Sequence, residues 1–563
     1  MKNNIQGLII GFVLGISSFL YFRYIAPYHI CFKEHIQLFV FNSSYVFSYF
    51  SKPAAFAWLG GDFLTQFLYF KGGGAMIIAL LLVAEWLLVF MVFKRFFVKQ
   101  YALLWSLLPV IVEWIFLPQI SFSLALSVSF ILALAVFILY ERINRTVGII
   151  LIPILYMIAG ASVFLFLILI ILYDIYCGHR RWVYWMVISG LAIAIPFIFR
   201  HSFLLTLKQA YCYPFPDFWK GLSIVTMATV ILLFICFKKP VGAFRPVIFQ
   251  TVTIIIMVSI LVTGLVKTTD KEQEKLLGIT IEAYHNNWDK VLDIAEKAEL
   301  NNPVTTCFTN IALSRKNLLG DRLMDFYQPF SAGLLLPGRP GPNWFATMMT
   351  NDAYFHIGDM DMAQHAAMVG MISLPRQRSA RMIERLAEIN MATGDIPAAT
   401  KYSRMLESTL FHKTKLESRI TNSTQRSEQR IFKKDTIRKA TDIKLSLELL
   451  AESNQDDLPA INYLLCYYLL NKDIPSFFRA YTSYGKGKFT PVPKVYAEAL
   501  LVYFAATKSS IDELTMYGIQ PEMIKAFGEY TRLYEKSEGD LPFMQEKFPN
   551  TYWLFYHFAV MNN

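Results

Sequence analysis

Charge is scarce in this 563-residue chain: 17% of its residues are Asp, Glu, Lys or Arg, where an ordinary soluble domain carries roughly 25%. Hydrophobic residues make up 55%, and mean hydropathy is +0.40. Together these exclude a disordered chain and a wholly soluble one. Cysteine is rarer still, with six in the whole chain. They form no C-x-x-C pair and no zinc-type spacing, which removes a disulfide scaffold and a cysteine-rich metal site. A Walker loop, a G-x-S-x-G elbow and an H-E-x-x-H helix are all missing, so the common phosphate-cradling, serine-hydrolase and zinc-protease signatures are absent. The nine histidines do not cluster; His356 and His365 read as packed or solvated side chains rather than metal ligands. The net charge of +11 does not point to nucleic acid, because many of the basic residues flank apolar runs, where they orient a chain in a bilayer.

Apolar runs fill the first half. A membrane span needs about 20 such residues, and candidates lie at 5–24, 74–93, 101–117, 121–140, 183–199, 219–237 and 247–266. A longer run, 147–177, carries Pro153 and is interrupted by Gly160. Basic clusters at Lys94/Arg95/Lys99, Arg142/Arg145, His179/Arg180/Arg181 and Lys238/Lys239 mark cytoplasmic turns, and Lys2 places the N-terminus on the same side. This bookkeeping closes only if 147–177 enters and returns near Gly160, giving about nine passes and an exit on the outside after Val266. One long tilted helix is the rival reading. The first run lacks the small residues of a signal-peptide cleavage site and reads as an uncleaved anchor.

The loop 25–73 is rich in aromatic residues and poor in charge, holding Lys33, Glu34, Lys52, Asp62 and Lys71. A loop that apolar is expected to lie along the membrane surface or over the mouth of the bundle, with Gly60-Gly61 and Gly72-Gly73-Gly74 supplying turns. A second outward loop, 200–217, ends in Tyr211-Cys212-Tyr213-Pro214-Phe215-Pro216-Asp217. Cys31 and Cys212 both fall in outward loops, where they either pair or remain two separate thiols. Two acids, Glu85 and Glu113, lie inside predicted spans at depths that differ by only about 5 Å. Intramembrane acids are functional candidates; the plainer alternative is a carboxyl hydrogen-bonded to a neighbouring Ser or Trp.

After Lys267 the composition turns polar and helical, so the whole chain is expected to be all-α: a polytopic transmembrane bundle (1–267), a helical-repeat block (268–411), a basic connector (412–444) and a divergent repeat and capping region (445–563). The repeat block aligns on Asn286-Asn287-Trp288, Gly320-Asp321, Gly358-Asp359-Met360 and Gly394-Asp395-Ile396, with small residues Ala363, Ala367, Gly370 and Ala399 following. Small residues at that spacing let two antiparallel helices approach closely. These repeats resemble the tetratricopeptide family, which implies an α-solenoid that binds a protein or peptide. The connector holds ten Lys or Arg against four acids, a solvated basic helix or a surface for an acidic partner. The aromatic run 552–558 is expected to cap the solenoid or dip onto the membrane.

The phrases Gly61-Asp62-Phe63-Leu64-Thr65-Gln66-Phe67 and Asn310-Ile311-Ala312-Leu313-Ser314 resemble those of uncharacterised bacterial envelope proteins that join a multi-span half to a tetratricopeptide-like tail. That resemblance implies an inner-membrane scaffold with no cofactor, whose outward solenoid recruits an envelope partner while the bundle contacts lipid. The first span followed by a long outward loop is also similar to the layout of GT-C glycosyltransferases. This second resemblance implies Asp62 as base, with Glu34 as a distant second acid, and Lys52 or Arg200 on the phosphate of a polyprenyl-linked sugar donor, with or without a divalent metal.

Overall fold

The computed structural model describes residues 2–97, 99–140, 147–215, 218–236, 246–298, 301–334, 344–374, 377–412, 442–508, 514 and 516–560. Every regular element among them is helical. The chain divides into two units, Met1–Glu274 with Ser408–Phe411, and Lys275–Glu407 with His412–Asn563.

In the first unit five helical runs are long and apolar enough to cross a membrane: Ile5–Ile25, Lys71–Phe93, Val147–Tyr176, Trp182–Ser202 and Gln250–Thr268. Shorter apolar helices cover Tyr101–Phe116, Leu124–Tyr140 and Leu222–Leu233. Their outer faces are greasy, with Leu8, Phe12, Ile255 and Val266 all well exposed, a surface that water does not tolerate and lipid does.

The run Val147–Tyr176 is folded back on itself. Its first arm, Val147–Ala159, ends at Gly160, whose φ is +68°, and the second arm, Val163–Tyr176, follows a short 3-10 turn. Beside it, the helix Leu124–Tyr140 touches the turn near its start, where Ser129 Oγ donates to Ala159 O (2.6 Å) and meets Ser162 Oγ (2.6 Å). Nearer its end, Phe137 meets Tyr173 of the second arm at 6.3 Å, and a side chain at Gly148 of the first arm would strike Tyr140 and Tyr184. Both arms therefore start and finish at the same end of that neighbour, which a straight 30-residue helix cannot do. Glycine is required at 160 twice over, for its positive φ and because a Cβ there would collide with Tyr213 O.

In the loop 25–73, Phe41, Phe47 and Phe50 are exposed, whereas Ile30 and Phe32 in the helix Pro27–His35 are fully buried. The reason for that burial is long-range. Glu274 accepts hydrogen bonds from the backbone N–H of Tyr28 (2.7 Å) and His29 (2.9 Å) and pairs with His29 Nδ1, capping that helix from the far end of the unit. Gly61 supplies no turn. It sits inside the helix Ala55–Thr65, where a Cβ would lie 2.9 Å from the Cβ of Ala125 and closer still to its backbone, so it sets how near that helix comes to Leu124–Tyr140. Cys31 is buried, Cys212 is half-buried, and neither takes part in a disulfide. Ser408–Phe411 returns to this unit, with Phe411 stacked on Tyr69 at 5.7 Å and Ser408 O accepting from Phe41 N–H at 2.8 Å.

The second unit is built from consecutive helix pairs. Trp344–Ile357 packs on Met360–Ser373, and Ala380–Thr393 packs on Ile396–Glu407. The same two-residue device joins the two helices of a pair: a residue at positive φ, then an Asp whose carboxylate caps the next helix. Gly358-Asp359 (φ +92°), Gly394-Asp395 (φ +81°) and Lys472-Asp473 (φ +57°) all use it. Asn286 takes the positive-φ position as well. Gly320 does not: Asn317 makes that turn (φ +58°), and Gly320 lies in a short helix against Pro493 and Tyr496. Where small residues were expected, Ala363, Ala367 and Ala399 are fully buried, and a Cβ on Gly370 would come within 3.1 Å of the Met348 backbone. The loop 336–342 and residues 413–441 of the basic connector lie outside the described residues.

The aromatic run near the C-terminus forms the helix Tyr552–Phe558 and packs inside this unit. Tyr552 OH donates to Leu469 O (2.9 Å), and Glu498 of the helix Lys494–Thr507 receives Tyr552 N–H (2.6 Å) on its carboxylate and Trp553 Nε1 (3.0 Å) on its carbonyl. Burial pushes the Glu498 carboxyl up to about 7, against the pull of the Tyr552 N–H and Lys494.

Candidate functional site

Three places in the molecule gather chemistry, and the sequence-predicted residues divide among them unevenly. The first is Asp62. It lies in the helix Ala55–Thr65, only 2% exposed, and accepts a 2.6 Å hydrogen bond from Tyr49 OH. Tyr49 OH in turn meets Tyr45 OH at 2.8 Å, and Tyr45 OH donates to Leu38 O. Burial first, and then Asp62, hold the Tyr49 phenol well above its ordinary range, so this chain of hydroxyls stays protonated and ties the first loop together. Glu34 is buried as well. Lys52 is exposed, and Arg200 lies at the end of the helix Trp182–Ser202, donating to His201 (3.3 Å) and resting over Phe197 (4.6 Å).

The second place is a buried ionic cluster inside the first unit. Glu113 accepts from Ser127 Oγ at 2.6 Å, and Glu85, whose two oxygens accept no hydrogen bond from a described residue, is its electrostatic neighbour. A hydroxyl has one proton, and that of Ser127 goes to Glu113. The two acids predicted to lie inside spans thus share one locality. The cations that accompany them were not singled out from the sequence. Lys33, 5% exposed, donates to Leu117 O (2.6 Å) and Phe122 O (2.7 Å), and Lys220, also 5% exposed, to Ser121 O (3.3 Å). Burial pushes the Lys33 ammonium down to about 7; Glu113 opposes that fall and Lys220 adds to it. The two lysines clamp the turn between the helices Leu107–Phe116 and Leu124–Tyr140 by its carbonyls. A lysine beside a glutamate in an otherwise apolar loop was the available signal.

Against that clamped turn lies a cavity of about 460 Å³. Trp58, Leu126, Tyr213 and Phe215 are among its apolar lining residues, and Ser121, Ser123, Lys208 and Gln209 among its polar ones. Neither Asp62, Glu34, Lys52 nor Arg200 lines it.

The third place is a buried polar spine in the second unit. Asp352 pairs with both Arg381 and Arg385 (2.8 Å to Arg385 Nη2), and Arg385 Nη1 also donates to Glu388 (2.7 Å). Burial works against the charge of Asp352, but the two guanidiniums outweigh it and hold the carboxyl below its usual range. Arg381 stacks over Tyr284 and Arg385 over Phe355, and Glu384 accepts from Tyr284 OH and pairs with His412 (2.6 Å). A buried ionic network of this kind fixes the register of packed helices. No group of His, Cys, Asp and Glu able to hold a metal occurs among the described residues, and His356 packs against Trp288 at 5.0 Å.

The chain belongs to a family of unknown function (DUF6057), whose model matches residues 2–559. No curated protein and no solved structure matches it.

Proposed function

We propose that this chain is a membrane-anchored scaffold whose second unit, a tetratricopeptide-like solenoid, recruits protein partners. In this reading it sits in the inner membrane of a bacterium, with its N-terminus in the cytoplasm and its second unit outside. The observation that carries the reading is the repeated helix pair. The αL-residue-plus-Asp turn recurs at 358, 394 and 472, and small buried residues bring the paired helices close, the arrangement that stacked repeats use to present a binding face. The glycosyltransferase alternative needs Asp62 open to a substrate cavity, whereas its carboxylate is buried under Tyr49.

In-cell photocrosslinking from exposed positions of the second unit tests the reading, comparing the full chain, a chain ending at Glu274, and Asp62→Asn. The scaffold predicts discrete protein adducts that disappear with the truncation and persist in Asp62→Asn. Adducts that survive the truncation from probes placed in the first unit, together with loss of the full chain's adducts in Asp62→Asn, would overturn it.

A further inference from the structure

The cavity against the lysine-clamped turn is a site the scaffold reading leaves unexplained, and its hydrogen-bonding inventory is one-sided. Gln209 Oε1 already accepts from the backbone N–H (2.9 Å) and hydroxyl (3.0 Å) of Thr206, which leaves the Gln209 side chain its amide N–H groups to offer as donors. Ser123 Oγ accepts from Ala125 N–H (3.2 Å) and keeps its own proton to give. Ser121 adds a second hydroxyl and Lys208 an exposed ammonium. No carboxylate is present among the described lining residues. Next to Ser121 and Ser123, Lys33 and Lys220 hold the carbonyls of 117, 121 and 122, so the Ser121 carbonyl is already engaged.

The lining is also aromatic. Trp58 and Tyr213 lie with ring centroids 5.8 Å apart, Phe215 is buried beside them, and rings of this kind sit where headgroup meets acyl chain. The walls are held in place before any ligand arrives. Tyr213 O accepts from Ala161 N–H (2.7 Å) at the tip of the folded-back hairpin, and Ala210 O accepts from Tyr156 OH (2.9 Å). At about 460 Å³ the space falls within the range of small-ligand pockets.

We infer that this cavity binds a phosphate-headed lipid, with the phosphate between Lys208, Ser121, Ser123 and the Gln209 amide and the start of the apolar chain against Trp58, Tyr213 and Phe215. Donors and a cation together with aromatic rings match an acceptor-rich anion carrying a hydrocarbon tail, and match neither a zwitterion nor a neutral sugar as well.

The test is lipid retention by the full chain purified in neutral detergent, measured by native mass spectrometry with phosphatidylglycerol and phosphatidylcholine as competing probes. Phosphatidylglycerol is expected to bind about tenfold tighter, the factor one charge-assisted contact supplies. Lys208→Glu is expected to abolish that preference, and Ser121→Trp, a change at an exposed position that fills the space, to weaken both lipids. Lys52→Glu, an equal charge change away from the cavity, is expected to leave the preference intact. Equal binding of the two lipids would overturn the inference, and so would matching losses in Lys208→Glu and Lys52→Glu, which would mean surface charge alone. Displacement of phosphatidylglycerol by inorganic phosphate as effectively as by a short-chain phosphatidylglycerol would also overturn it, since the tail would then contribute nothing.

Discussion

Replacing Glu498 by Gln should remove a pH dependence from the packing of the C-terminal helix. The carboxyl is 2% exposed and burial raises it to about 7 from an ordinary 4.5. A raised folded-state value means that its contribution is complete below about 4.5 and is lost as pH climbs through about 7. Over the full window the loss is about 3 kcal/mol at 1.36 kcal/mol per unit. Most of it falls between pH 5 and pH 8, roughly 2–3 kcal/mol, or on the order of a hundredfold in an opening constant. The amide of Glu498→Gln would keep an oxygen for Tyr552 N–H, now 2.6 Å from the carboxylate, without a charge to desolvate. Hydrogen exchange of the full chain in detergent, followed in peptides covering 494–507 and 552–558 and corrected for intrinsic rates, reads the opening directly. Protection of the variant relative to wild type should rise by about that factor from pH 5 to pH 8. A ratio that is flat with pH, or that falls, would refute the argument that burial governs Glu498.

Gly61→Val should separate the helices Ala55–Thr65 and Leu124–Tyr140, since even a Cβ overlaps Ala125; overpacking of this sort costs about 1–3 kcal/mol or more and should appear as a lower Tm of the purified chain. An unchanged Tm would show that the two helices do not rely on that contact. Tyr49→Phe removes the hydroxyl bound to Asp62 and should destabilise by roughly 1.5–3 kcal/mol, the worth of a hydrogen bond to a charged group. Adding Asp62→Asn to it should then cost little further, and fully additive losses in the double variant would contradict the pairing. Asp352→Ala strands two buried guanidiniums, with an expected loss of about 3–5 kcal/mol. It should be seen as deprotection of the helix Ala380–Thr393 in hydrogen exchange, and protection within a few tenths of a kcal/mol of wild type would show the spine to be dispensable.

What could be read from the sequence follows how far apart the interacting residues are. Turns are local, so Gly358-Asp359 and Gly394-Asp395 were legible: a residue suited to positive φ followed by a capping Asp carries its meaning within two positions. That Glu85 and Glu113 could come together was legible for the same kind of reason, from a count along each helix. The burial of Pro27–His35 was not, because the carboxylate that caps it belongs to Glu274, far along the chain. Gly61 misled because a glycine that permits close helix crossing looks, in sequence, like one that makes a turn. Gly320 misled in the same way, with Asn317 making the turn three residues earlier. Lys33 and Lys220 were hidden because nothing near either lysine in sequence names the carbonyls of 117, 121 and 122 as their acceptors.

The folded-back hairpin has a mechanical consequence. Its arms of 13 and 14 residues are each about 20 Å long, some 10 Å short of a bilayer's hydrocarbon thickness, so neither arm crosses one alone. The tip is instead tied to the segment Ala210–Tyr213, whose carbonyls accept from Tyr156 and Ala161. The turn is therefore a joint between two stretches of chain, and a pull on either one loads the other.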